Sequence, residues 1–523
     1  MTSRDSAVDV FASRPRLLRA TLLMMFAAAT AIRLMQLDAP GVLVDRDYTS
    51  AMFARAWFFE HRADVPDWRR EMATKLVAKQ PVLEPPITEW LASLLYRAVG
   101  SDDIRLGRLL TVFFWLVGGV LLFLLARRLV GIDAAVLALA YYLFLPLSVL
   151  LSRSFQADAL MMLLFIASLL AIVRHHQAPD RSTLAIAAVV SALTLVYRPL
   201  VMPALVLVYL LPAIRASGWR RGLLDRATIA YVAIATIPAF AYYGYGAFIA
   251  RYFQWKLTSS FMFSLYGHPE FWREWFLLAT SELGLTALIL ALTGLAFLPR
   301  GLARTVIVAL GLGYLCFGLA FTYHIHTHGY YQAQLIPAVA IAAAPLTLLL
   351  ILRSLQAPER WVRLAPIVAG CLVAGSWWIK TRQELNRSQF ESPAVATTIG
   401  QLVKHSDRVV FLSPFYGLPL QYLGEFTGAY WPRPMSYWLY RPRGERERSI
   451  RERLAAIGFE PEYFVITHFR EYANNHEDLR LYLESRCSPL ALEDQYRIYH
   501  RCLTPAVSDS GRSAAPAAGT VPP

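Results

Sequence analysis

Runs of about 20 apolar residues recur along the first three-quarters of the chain. The hydrocarbon core of a bilayer is about 30 Å thick and a helix rises about 1.5 Å per residue, so each such run is long enough to cross it. Eleven runs are legible in the 523 residues, at roughly 18–37, 105–126, 133–151, 157–173, 182–197, 200–214, 228–248, 282–298, 303–323, 332–352 and 361–379. Charged residues make up 17% of the chain and hydrophobic ones 56%, whereas soluble domains carry about 25% charged residues. The chain therefore reads as an α-helical polytopic membrane protein of about eleven spans. A polar N-terminal stretch and the lack of a small-residue cleavage site make the first run a retained span rather than a secretory signal.

The net charge of +14 does not point to nucleic acid, because the arginines sit mostly in short loops between apolar runs. With a cytoplasmic N-terminus, the inside loops are ARRLVG, RHHQAPDR, RASGWRRGLLDR, PRGLAR and LRSLQAPERWVR, each short and basic. That bias orients membrane proteins with their basic loops in the cytoplasm. It predicts a multi-pass protein of the cell membrane whose C-terminal domain lies outside.

Two segments break the pattern. The stretch 38–104 is far longer than a connection between spans requires, and it is rich in Arg, Asp, Trp and Tyr. Long loops of this kind carry function. From about Thr381, DRVVFLSPFYGLPLQYLG and PEYFVITHFR read as short buried strands, with the helix ERERSIRERLAAIG between them. The predicted organisation is a transmembrane domain over 1–380 that includes the large outer loop. A small α/β soluble domain follows over 381–503, and a Pro/Ala/Ser/Gly-rich disordered tail over 504–523. Cys316 and Cys371 fall inside spans, while Cys487 and Cys502 flank a hairpin in the outside domain. An oxidising compartment would join the latter pair.

The unusual polar residues gather on the predicted outer side. They are Asp45, Asp47, Arg55 and Glu84 in the loop, Arg153 and Asp158 after the third run, Arg198 between the fifth and sixth, and His324, His326, His328, Tyr330 and Tyr331 between the ninth and tenth. Arginines hold phosphate oxygens through paired donors. A carboxylate takes the proton of an attacking hydroxyl. Simpler roles exist for each. Asp45 and Asp47 are good N-caps for the following helix, Asp158 for the fourth span, and Glu84 is a candidate solvated charge. Arg198 before Pro199 is a candidate snorkelling anchor. HIHTH tempts a zinc reading, but alternating histidines suit a plain loop, and zinc needs three or four convergent ligands.

VDRDYTSAMFARAWFFE resembles the start of the first outer loop in GT-C glycosyltransferases, the group containing protein O-mannosyltransferases and the aminoarabinose transferase of lipid A. Asp47, Tyr48, Ala54 and Arg55 fit the pattern, although Asp45-Arg46-Asp47 replaces the usual Asp-Glu pair. EPPITEWLASLLYRAVG, IRLGRLLTVFFWLVGGVLLFLLARRLVG, LSRSFQADALMMLLF and HGYYQAQLIPAVA resemble later family segments in the same order, covering about residues 30–340.

The resemblance implies a polyprenyl-phosphate sugar donor and transfer, with inversion, to an acceptor hydroxyl on the outer face. The acceptor is a glycan, lipid or protein. Asp47 is the expected base, with Asp45, Asp158 and Glu84 as alternates. Arg55, Arg153, Arg198, His328, Tyr330 and Tyr331 are the expected donor contacts. No cofactor is assigned, and a divalent metal is left open. A glycolipid flippase or transporter, or a glycan polymerase or ligase, is the competing reading. Acidic residues are nearly absent from the span centres, where coupled transporters keep them.

Overall fold

The computed structural model describes residues 10–38, 44–82, 84–251, 260–386, 392–431 and 449–502. The tail 504–523 and part of the segment 249–281 lie outside these. The chain divides into two compact units. The first comprises Met1–Val42, Val82–Ala92 and Asp103–Arg387; the second comprises Leu43–Pro81, Ser93–Asp102 and Ser388–Pro523. Most of the large loop thus groups with the C-terminal segment, not with the spans with which its sequence position associates it.

The first unit is a helical bundle. Among the described residues, eight helices are long and apolar enough to cross a membrane, or up to ten if each of two bent pairs is one span. Arg181–Tyr197 is a shorter apolar helix of 17 residues, about 25 Å long. The expected eleven runs are all helical, but they are not eleven straight spans. Ile132–Phe144 and Pro146–Arg153 meet at 56°. Leu145 precedes a proline and is extended there (ψ 137°), as the proline ring demands of its neighbour.

The stretch expected as a span over 282–298 is the larger departure. Pro269–Leu283 and Leu285–Gly294 are bent by 93° at Gly284, whose φ is +83°. Leu285–Gly294 has 10 residues, about 15 Å of rise, too little to cross alone. A Cβ at Gly294 would overlap the carbonyl oxygen of Ala342, so that glycine lets the short helix touch the backbone of Ile336–Leu355. Elsewhere the bundle turns apolar side chains outward, as on Arg360–Asn386, where Leu364, Ile367 and Leu372 are exposed. Such a surface is stable against lipid rather than water.

In the second unit, a five-stranded sheet has the order β2-β1-β3-β5-β4. The strands are β1 Val409–Leu412, β2 Gly428–Tyr430, β3 Tyr463–Ile466, β4 Ser488–Leu492 and β5 Arg497–His500. β1 is parallel to β2 and β3, and β5 is antiparallel to β3 and β4. Side chains alternate across a strand. Val410, Leu412, Phe464 and Ile466 therefore pack on one face with Leu479 and Leu483, while Val409, Phe411 and Val465 pack on the other with Ile399 and Leu420. Both faces being covered explains the unbroken apolar VVFL and YFVI. Helix Ile450–Ala456 starts with a capping box of Ser449 and Glu452. A disulfide joins Cys487 to Cys502 across the base of the β4–β5 hairpin.

Three helices come from the large loop, Val44–Glu60, Asp67–Ala78 and Ile87–Val99. In the second unit, Arg69 donates to both carboxylate oxygens of Glu425 at 2.7 and 2.8 Å, and Lys75 meets Asp407 at 2.8 Å.

Candidate active site

In the first unit, three of the sequence-predicted residues converge. Helix Arg181–Tyr197 ends because Arg198 precedes Pro199 and is extended (φ −147°, ψ 100°). Its guanidinium lies between two carboxylates. Nη1 donates to Glu84 Oε1 at 2.7 Å, and Nη2 to Asp158 Oδ1 at 2.7 Å. Arg198 and Asp158 are 5% and 3% exposed, so this is an interior ion cluster and not a snorkelling anchor. Asp158 stands in the first turn of helix Asp158–Gln177 and makes no side-chain cap. Its carboxylate is spent on Arg198 instead.

Burial opposes the charge on Arg198. Asp158, Glu84 and Tyr331 together outweigh that, and the guanidinium is held well above its ordinary pKa. A guanidinium has five N–H donors. Its Nε finds no hydrogen-bond partner among the described residues, so the cluster keeps donor capacity for an anion. Beside it, the Tyr197 and Thr88 hydroxyls are 2.7 Å apart and buried, a contact that no sequence signal announced.

Arg153, also buried, donates to the Gln36 carbonyl at 2.6 Å. Arg108 donates to Leu37 and Asp38 carbonyls at 2.8 and 3.1 Å. Arg33 donates to Ser152 Oγ at 2.7 Å and to the Leu143 carbonyl at 2.9 Å. Arg153 and Arg108 thus satisfy carbonyls of the turn that follows helix Pro15–Leu34. Arg33 was missed in the sequence, although an arginine within an apolar run was signal enough.

Helix Thr322–Thr327 carries His324 and His326, and His328 follows as its C-cap. His324 Nε2 is 2.8 Å from Ser260 Oγ, His326 Nδ1 is 2.7 Å from the Thr322 carbonyl, and His328 Nδ1 is 2.6 Å from Thr327 Oγ1. Tyr330 and Tyr331 are buried with ring centroids 4.4 Å apart. Among the described residues no group of three or more His, Cys, Asp or Glu is placed to hold a metal ion.

The remaining predicted residues belong to the second unit. Asp45 and Asp47 lie inside the first turn of Val44–Glu60, with Asp47 fully buried and Asp45 partly so. Negative charge there suits the helix dipole. Arg55 was expected to grip donor phosphate. Its Nε meets Asp102 Oδ2 at 2.6 Å, Nη1 donates to the Tyr422 carbonyl at 2.6 Å, and its Cζ sits 3.4 Å from the Tyr422 ring centre. These contacts tie Arg55 to two other segments of the second unit.

Residues 83–244 match the family model of dolichyl-phosphate-mannose-protein mannosyltransferase. A search of curated protein sequences finds no match. Among solved structures, ArnT from Cupriavidus metallidurans bound to undecaprenyl phosphate aligns with TM-score 0.57 and 15% identity, over 94% of this chain and 99% of that one. The archaeal oligosaccharyltransferase AglB from Archaeoglobus fulgidus, in complex with an inhibitory peptide and a dolichol-phosphate, aligns with TM-score 0.54 and 11% identity, over 89% and 70%. The A. fulgidus oligosaccharyltransferase in complex with Zn and sulfate aligns with TM-score 0.53 and 10% identity, over 90% and 71%. At these identities the structural likeness is one of fold. In fold, and over residues 83–244 in its family-model match, this chain is similar to the GT-C glycosyltransferases.

Proposed function

We propose that this protein transfers a sugar from a polyprenyl-phosphate donor to an acceptor hydroxyl at the outer face of the membrane, with inversion at the sugar carbon. One observation carries the reading. The family-matched segment 83–244 contains Glu84, Asp158 and Arg198, and Arg198 is bonded to both carboxylates. The match to a mannosyltransferase family model thus coincides with a buried ion cluster whose arginine has a donor to spare.

In this reading Arg198 meets the donor phosphate through its remaining N–H groups, while Glu84 and Asp158 fix its plane. Tyr331, which interacts electrostatically with Arg198, sits with Tyr330 and His328 among the donor contacts. Asp47 is the base. The acceptor oxygen bonds to the anomeric carbon, the bond from that carbon to the phosphate oxygen breaks, and its electron pair leaves with the polyprenyl phosphate. The acceptor proton passes to the Asp47 carboxylate. Phosphate leaves without protonation, so one carboxylate suffices, unlike the pair needed for glycoside hydrolysis.

The test is sugar release from a polyprenyl-phosphate sugar by the purified protein, with and without a chelator to reveal any metal requirement. A flippase or transporter would leave the donor intact. For sidedness, single cysteines at Arg220 and Glu493 should label from opposite faces of oriented vesicles. Labelling from one face would overturn the outer-face assignment.

A further inference from the structure

We propose that Tyr422 is the positioning residue that holds helix Val44–Glu60, and with it Asp47, in working orientation; this rests on the reading of Asp47 as the base. Tyr422 lies about 375 positions beyond Asp47 in the chain, in the second unit that also contains Asp47. It is 2% exposed.

Its side chain and backbone serve three residues of two separate stretches at once. The Tyr422 ring meets Tyr48, the neighbour of Asp47, edge-on at 5.3 Å between centroids. Its face receives the Arg55 guanidinium at 3.4 Å, and its carbonyl accepts from Arg55 Nη1 at 2.6 Å. Its hydroxyl donates to the Asp102 carbonyl at 3.2 Å, and the Asp102 carboxylate pairs with Arg55 at 2.6 Å. Tyr48 and Arg55 are seven residues apart, two turns of one helix face. Tyr422 therefore grips the helix at two points and so fixes its rotation about its own axis. Rotation is what aims Asp47, one residue from Tyr48.

The seat of Tyr422 is itself rigid. Helix Leu418–Gly424 is flanked by Gly417 and Glu425 in left-handed conformation (φ +66° and +52°). A Cβ at Gly400 would overlap the Gly424 carbonyl, so helix Pro393–Leu402 packs against it backbone to backbone. Glu425, next in the chain, is held by Arg69.

The experiment uses the full-length protein with a polyprenyl-phosphate sugar, comparing wild type, Tyr422→Phe, Tyr422→Leu, Tyr48→Leu and the Tyr48→Leu/Tyr422→Leu double variant. Tyr422→Phe keeps both ring contacts and should retain at least half of kcat. Tyr422→Leu should lower kcat tenfold or more with donor KM within twofold. The double variant should be no worse than the poorer single one, because both remove the same grip. Unchanged kcat in Tyr422→Leu, or fully multiplicative losses, overturns the proposal. Hydrogen exchange supplies an arm that needs no activity. Tyr422→Leu should speed exchange in 44–60 at least fivefold while Val409–Leu412 stays protected. Should Tyr422→Leu fail to fold, Arg55→Lys carries the same two readouts, since an ammonium cannot lie flat on the ring and reach Asp102 together. If wild type releases no sugar, the glycosyltransferase reading fails. Exchange in 44–60 still decides whether Tyr422 holds the helix.

Discussion

Arg198 and Asp158 are joined by a 2.7 Å hydrogen bond across a sequence separation of 40 residues, and neither is more than 5% exposed. Interior charges cost several kcal/mol each to desolvate and tolerate little loss of a partner. Arg198→Ala strands two carboxylates and should destabilise the protein by about 3–5 kcal/mol, read as a lower unfolding midpoint in detergent. Arg198→Lys keeps the charge, but an ammonium lacks the planar fork that reaches Glu84 and Asp158 together. It should fold and bind donor more weakly. Unchanged donor affinity in Arg198→Lys would remove Arg198 from the donor site.

Asp47→Asn keeps the side-chain shape and removes its basicity. Turnover should fall by roughly 10²–10⁴, the range of general-base catalysis, with donor binding intact. Asp45→Asn should cost much less, its carboxyl being partly exposed where Asp47 is buried. Near wild-type turnover in Asp47→Asn beside an inactive Asp45→Asn would move the base two residues back.

The Cys487–Cys502 bond closes a separation of 15 residues, a loop worth about 3 kcal/mol by chain entropy. Reductant or Cys487→Ser should lower the denaturant midpoint of the second unit. Alkylation without reductant should reach Cys316 and Cys371 only, two of the four cysteines. Labelling of all four would contradict the bond.

Asp407 is held below the usual carboxylate range, chiefly by the hydrogen bond from Lys75. Lys75 is raised in turn, by Asp407 first and then Glu71. A depressed carboxyl lends stability above its unfolded pKa and loses it as pH falls through the folded one. Asp407→Asn should therefore remove part of the acid-limb dependence below about pH 4 and leave pH 6–8 with only a small offset. The two side chains are 39% and 43% exposed, so the offset stays within the surface-pair range of about 0.2–1 kcal/mol. An identical acid limb in wild type and variant would deny the pair any role.

The apolar runs, the basic loops and the short buried strands were legible in the sequence because each is local. A span is written in about 20 consecutive residues, a strand covered on both faces in a short unbroken apolar run, the Arg198 break in the proline that follows it. VVFL and YFVI announced themselves as buried strands for the same reason. Glycine at 284 carried too little local signal to reveal a 93° bend, since glycine permits left-handed backbone without requiring it. Contacts between distant segments were beyond the sequence altogether. Glu84 pairs with Arg198 over a separation of 114, and Arg55 reaches Tyr422 over 367. Residue types named Arg55, Arg153 and Arg198 together as donor contacts. Only tertiary packing revealed their partners, because the hydrogen-bonding capacity left to a guanidinium depends on what the rest of the chain brings against it.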